Sequence, residues 1–204
     1  MGKRCLIISG GEYHPITGVR PDDYIIACDR GYEYALRSGL RPDLLISDFD
    51  SYGGEVADSV EVMRLPTEKD DTDTMSAIRR AVAEGYDTIC LVCALVARLD
   101  HSYANLQALA WAAEQGVLAA IDSPDARVFA LRDAKLRLPR REGFSLSVFA
   151  VSERCRVSLR GVKYALEDVE IGSSFPIGVS NEWAAPEAEI SVRGGTVLVM
   201  EARL

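Results

Sequence analysis

A chain of 204 residues with 48% hydrophobic side chains has room for one sizeable core or two small ones, and its composition excludes a disordered polymer. With 31 acidic against 23 basic residues the formal charge is −8, which opposes general attraction to nucleic-acid phosphates and leaves a small anion held by local cations as the only nucleotide-like partner. The apolar run from Ile89 to Ala97 is far too short to span a bilayer and Met1-Gly2-Lys3-Arg4 leads only into a strand-length run, so a cytoplasmic protein with no targeting segment and no membrane partner is expected.

Strand-like runs at Cys5 to Ser9, Tyr24 to Cys28 and Leu44 to Ile46 open the chain, separated by helical stretches. A helix follows from Thr72, with Met75, Ile78 and Val82 at helical spacing, Asp71 or Thr72 as its cap and Gly85 beyond its end. Then come a strand from Thr88 to Cys93, a helix from His101 to Gln115 with Leu106, Leu109 and Ala113 on one face, and a strand from Val117 to Ile121. This alternation predicts an α/β domain over 1–123, a parallel sheet covered by helices. After Ser123-Pro124-Asp125 the pattern turns to short strands: Arg127 to Leu131, Lys135 to Leu138, Phe144 to Ala150, Arg156 to Leu159, Ile190 to Arg193 and Thr196 to Ala202. Turn residues such as Arg141-Glu142-Gly143 and Gly194-Gly195 separate them, and an all-β sandwich over 124–204 is expected.

The five cysteines are an odd number. Cys90 and Cys93 form a C-x-x-C, but on a strand residues three apart face opposite ways, so these and Cys5, Cys28 and Cys155 read as buried small hydrophobes rather than redox or zinc ligands.

Three acidic clusters carry the chemistry: Ser47-Asp48-Phe49-Asp50-Ser51, Lys69-Asp70-Asp71-Thr72-Asp73-Thr74, and Arg98-Leu99-Asp100-His101 followed by Asn105. Crowded carboxylates repel one another unless a divalent cation sits among them, and hard oxygen ligands with a nearby Lys and Arg point to Mg²⁺ holding a polyphosphate. Both predicted helices begin at such a cluster. Helix N-termini beyond the carboxyl ends of parallel strands offer free N–H groups to anions, so carboxylates and phosphate-binding amides meet on one rim. Asp48 and Asp50 alternate on a segment read as extended, which would put both on one side.

Five segments in order, Ala27-Cys28-Asp29-Arg30-Gly31, Arg41 to Ser51, Lys69 to Thr74, Arg98 to Leu106 and Gly178-Val179-Ser180-Asn181-Glu182, resemble thiamine pyrophosphokinases across nearly the whole chain. The resemblance implies a homodimer, each chain with an N-terminal Rossmann-like α/β nucleotide domain and a C-terminal β-sandwich, that moves a diphosphoryl group from ATP to the thiamine hydroxyl, releasing AMP. It implies Asp48, Asp50, Asp73 and Asp100 as Mg²⁺ ligands or orienters of its waters, and Lys69 and Arg98 as cations on the transferring oxygens. Asp73 or Asp100 is the candidate acceptor for the hydroxyl proton. Asp29, Ser51, Lys69, Asp71, Thr72, His101 and Asn105 are the expected substrate-binding residues of the first half, with Asn105 placed to face the nucleotide. Ser180, Asn181 and Trp183 fall on the thiamine side at the dimer interface, with the Trp183 ring stacking on a cationic thiazolium or on the pyrimidine.

Each residue also has a plainer reading: Asp71 as a helix cap, Asp43 as a turn residue, His101 as a structural hydrogen-bonding group, Trp183 as core. The family pattern has glycine where this chain has Ser47, Arg30, Val96 and Ala97. Lost glycines remove close backbone approach and φ > 0, while Arg30 adds a cation. Two further functions are therefore weighed: a non-catalytic nucleotide- or thiamine-binding regulator, and a Mg²⁺-dependent phosphohydrolase, against which the Ser180 to Trp183 segment argues.

Overall fold

The computed structural model describes residues 2–49, 52–66, 70–96 and 98–204. Two compact units divide the chain: Met1–Ala108 with Ile121–Ser123, and Leu109–Ala120 with Pro124–Leu204. The architecture is mixed α/β.

The first unit holds β1 (Arg4–Ile8), β2 (Tyr24–Cys28), α1 (Gly31–Arg37), β3 (Leu44–Ser47), β4 (Glu61–Arg64), α2 (Asp73–Ala83) and β5 (Thr88–Val92). The helix α3 (Leu99–Glu114) and the strand β6 (Leu118–Asp122) both cross the division between the units. Strands β5, β1, β2, β3 and β4 lie side by side in that order, and every pair is parallel. From β1 to β4 the chain adds strands on one side; β5 then returns to the other side of β1. The order thus reverses at β1, and ligands of open α/β sheets bind beyond the strand ends at such a reversal. Cys5 to Ile8 and Leu44 to Ser47 are buried throughout, as expected of parallel strands covered on both faces.

Capping sets the start of α2: Thr72 Oγ1 accepts the Met75 N–H at 3.1 Å. Its buried stripe is Thr74, Ala77, Ile78 and Ala81, a face rotated from the expected Met75–Ile78–Val82 one because the smaller side chains allow closer approach to the sheet. Gly31 opens α1 where a Cβ would collide with the Ile8 carbonyl, so the glycine sets how closely α1 lies on β1.

The second unit holds β7 (Ala126–Arg132), β8 (Lys135–Pro139), β9 (Phe144–Ala150), β10 (Arg154–Arg160), β11 (Leu166–Gly172), β12 (Gly178–Asn181), β13 (Glu187–Arg193) and β14 (Thr196–Arg203). Strands β12, β9, β14 and β7 pair antiparallel in that order, and β11, β10, β13 and β8 form a second antiparallel sheet. Alternate residues of both sheets share one core: Leu146, Val148, Val197 and Val199 from the first, Val157, Leu159, Ile190 and Val192 from the second. The strands expected from the sequence do not include β4, which is mostly exposed, nor β11 and β12. Most of β11 is exposed or half-buried, so it lacks a continuous apolar face, and β12 is four residues long with a register shift. No helix among the described residues is long and apolar enough to cross a membrane.

Candidate active site

The carboxyl ends of β1, β2 and β3, together with the loop that follows β5, surround a cleft of about 370 Å³ lined by Ser9, Gly10, Gly11, Asp29, Asp48 and Asp73 among others. Every residue lining it belongs to the first unit. Asp29 follows β2, Asp48 follows β3, and Asp73 opens α2. One carboxylate oxygen from each lies within 4.8 Å of the others.

Asp29 holds its position through an uncommon backbone turn, with φ of 47°, and through the Ser47 hydroxyl, which donates to its Oδ1. Burial, then a hydrogen bond shared with the Asp73 carboxyl and the charges of Asp73 and Asp48, push the Asp29 carboxyl up to about 7; the Ser47 hydroxyl pulls in the opposite direction. Three acids this close cannot all ionise cheaply without a cation. Hard carboxylate oxygens of this kind suit a divalent cation such as Mg²⁺, and Asp29, Asp48 and Asp73 could hold one.

Of the expected ligands, the structure brings Asp48 and Asp73 together and adds Asp29, which the sequence reading had put on the substrate. Asp100 is not in this group. It lies in the first turn of α3, exposed, and accepts two bonds from Arg98, the shorter at 2.6 Å. Each partner shifts the other: hydrogen bonding lowers the Asp100 pKa and raises that of Arg98. Asp50, Ser51 and Lys69 lie outside the described residues, as does Ala97. Phe49 adopts φ of 63°, so the backbone that follows Asp48 is turned rather than extended.

Thr72, His101 and Asn105 line the cleft as expected. Asn105 is buried and gives its amide N–H to the Ala94 carbonyl at 2.7 Å, tying α3 to the loop after β5. Asp71 is not the cap of α2, a place taken by Thr72; it pairs with Arg79 at 3.1 Å. Asp43 is more than a turn residue, since its Oδ2 accepts the Ile25 N–H at 2.8 Å and fixes the entry to β2.

Ser9, Gly10, Gly11, Cys28 and Thr74 also line the cleft and were not singled out from the sequence. The signal was a Ser-Gly-Gly directly after a buried strand, where glycine permits close backbone approach. Ser9 and Thr74 join their hydroxyls across 3.0 Å at the base of the site.

The second unit places its expected residues differently. Ser180 and Asn181 belong to β12 rather than to a loop, and Ser180 (φ 56°) sits at the register shift. Asn181 is buried; its Oδ1 accepts the Tyr164 and Glu182 N–H groups, each at 3.0 Å, and its Nδ2 donates to the Tyr164 carbonyl at 2.9 Å. Trp183 is 7% exposed, packs in the shared core and donates Nε1–H to the Leu138 carbonyl at 3.3 Å. The expectation of an open ring for stacking is corrected: its polar flanks suggested a loop, but the bridge between Trp183 and Val162 turns the indole inward.

At Arg30 and Val96 the missing glycines leave the backbone unstrained. Arg30 has φ −58° and ψ −18°, which any residue adopts. Val96 is not among the residues with positive φ, and its N–H and C=O both bond the Ser102 hydroxyl at 3.0 Å.

Two family models match the chain in order: thiamin pyrophosphokinase, catalytic domain, over residues 19–120, and thiamin pyrophosphokinase, vitamin B1 binding domain, over residues 133–197. Among solved structures, the chain resembles a thiamine pyrophosphokinase from Bacillus subtilis (TM-score 0.90, 22% identity, covering 99% of this chain and 100% of that one). A thiamin pyrophosphokinase from Geobacillus thermodenitrificans gives TM-score 0.84 at 24% identity, covering 98% of each chain. A thiamin pyrophosphokinase family protein from Enterococcus faecalis gives 0.83 at 26%, covering 99% of each. No curated protein matches the chain in sequence.

Proposed function

Because the chain belongs to the thiamin pyrophosphokinase family, we propose that it is a thiamine diphosphokinase, an enzyme that transfers the diphosphoryl group of ATP to thiamine. The hydroxyl oxygen of thiamine bonds to the β-phosphorus, the bond from that phosphorus to the oxygen bridging the α-phosphorus breaks, AMP leaves with that oxygen, and the hydroxyl proton is released. The observation that carries this reading is the convergence of Asp29, Asp48 and Asp73 in the cleft of the unit matched by the catalytic-domain model.

In this reading the first unit is a Rossmann-like nucleotide domain and the second a β-sandwich that recognises thiamine, with two copies forming a homodimer. Bound Mg²⁺ would screen charge on the polyphosphate and polarise the phosphorus under attack. The chain's own residues do the positioning. Asp29, Asp48 and Asp73 hold the cation, and Ser47 fixes the orientation of Asp29. Arg98, kept at the start of α3 by Asp100, offers a guanidinium to the transferring oxygens. Gly10 and Gly11 let the backbone after β1 come close to the phosphates. A cytoplasmic location suits the five cysteines, which are all free thiols.

The deciding experiment is product analysis with ATP, Mg²⁺ and thiamine. Thiamine diphosphate and AMP in equal amounts are expected. Orthophosphate formed without dependence on thiamine would instead indicate the hydrolase, and tight binding without turnover the regulator.

A further inference from the structure

Asp29 and Arg30 are consecutive, yet their side chains have opposite fates. Positive φ turns the Asp29 carboxyl to Ser47 and Asp73, while Arg30 takes up right-handed helical geometry ahead of α1. Arg30 is exposed, and its guanidinium makes no ion pair or hydrogen bond among the described residues. Other arginines of the chain are tied to carboxylates, Arg4 to Asp23, Arg79 to Asp71 and Arg156 to Asp168 among them. An uncommitted cation next to three clustered acids asks what it serves.

Its position answers. The Arg30 side chain starts beside Gly10 on the cleft wall: a Cβ built on Gly10 would lie 3.6 Å from the Arg30 Cβ, in ordinary contact. The cation held by the three carboxylates balances only part of a triphosphate, which carries more negative charge than one divalent ion neutralises. A guanidinium binds phosphate oxygens through paired, charge-assisted hydrogen bonds.

We propose that Arg30 is a phosphate-binding residue, clamping the β- and γ-phosphates of the nucleotide beside the Asp29–Asp48–Asp73 site. This rests on reading the cleft as the nucleotide site. AMP lacks those two phosphates, so Arg30 distinguishes substrate from product: it holds ATP and releases AMP once the diphosphoryl group has moved.

The test is calorimetric binding, with Mg²⁺ present, of α,β-methylene-ATP and of AMP to the wild-type chain and to Arg30→Gln, Arg30→Lys and Arg154→Gln. Arg154 pairs with Glu170 in the second unit, and its variant controls for the loss of one positive charge. Arg30→Gln should weaken the analogue by roughly tenfold or more, the range for a lost charge-assisted bond, and leave AMP within about twofold. Arg30→Lys should recover part of the loss, and Arg154→Gln should change neither ligand. Equal weakening of both ligands, or no change in either, would overturn the proposal, as would failure of the wild-type chain to bind the analogue. Turnover is not needed for this reading: a wild-type chain that makes no thiamine diphosphate but still shows the Arg30-dependent preference would refute the transfer reaction and keep the clamp. A chain that makes the product while Arg30→Gln binds normally would do the reverse.

Discussion

Ser47 donates its hydroxyl to Asp29 Oδ1 while its oxygen accepts the Phe49 N–H at 2.8 Å, so one fully buried side chain joins the ends of β2 and β3 at the carboxylate cluster. Glycine here could not make either bond. Because the Ser47 hydroxyl favours ionised Asp29, Ser47→Ala should raise the Asp29 pKa further. The acid limb of the pH–rate profile should then move to higher pH, with turnover at neutral pH falling by roughly tenfold from the lost bond. Superimposable profiles for the variant and the wild type would remove Ser47 from this role.

Asp29 gives the protein a definite pH signature. Its folded pKa, about 7, lies above its ordinary value of 3.8, so between those two values the folded state holds a proton that the unfolded state has released. Stability of the metal-free protein should therefore decline as pH rises through this window. Mg²⁺ competes with that proton, so its affinity should rise as pH climbs through about 7, and binding near neutrality should release protons. Denaturation midpoints across pH, with and without Mg²⁺, check both signs. Asp29→Asn should flatten the metal-free trend.

Trp183 belongs to the stability of the second unit. Truncation to Ala empties a site in the shared core and strands the Leu138 carbonyl, at a cost of about 3–5 kcal/mol. Trp183→Phe keeps most of the volume and should cost less while leaving thiamine affinity unchanged. Urea unfolding and thiamine titration of the two variants separate this from a ligand-stacking role, which predicts weakened thiamine binding in the folded Phe variant.

Local chemistry made much of this fold readable. Thr72 and Gly85 bracket α2 as expected because capping and a left-handed glycine act within a few residues. Buried runs such as Tyr24 to Cys28 are strands at the expected positions because parallel strands need apolar residues on both faces. The acidic clusters point to a candidate cation site, but which carboxylates converge depends on three distant chain segments and on the left-handed turns at Asp29 and Phe49, which no spacing reveals. Asp29 was thus legible as a candidate site residue, and its closeness to Asp48 and Asp73 was not. Trp183 misled for the converse reason: its neighbours Glu182 and Ala184 are exposed, and only strand pairing across the second unit turns the ring inward.

Transfer is proposed to depend on a cation site formed by Asp29, Asp48 and Asp73. Thiamine-dependent AMP formation at saturating Mg²⁺ by Asp73→Asn tests this, beside Asp43→Asn, whose carboxylate accepts the Ile25 N–H. Asp73→Asn keeps the shape and removes a charge, so turnover should fall by ~10²-fold or more, as for loss of an electrostatic catalytic element. Mn²⁺ binding followed by electron paramagnetic resonance should weaken in parallel, while Asp43→Asn stays near wild type in both. Near-normal turnover and Mn²⁺ binding by folded Asp73→Asn would contradict the account.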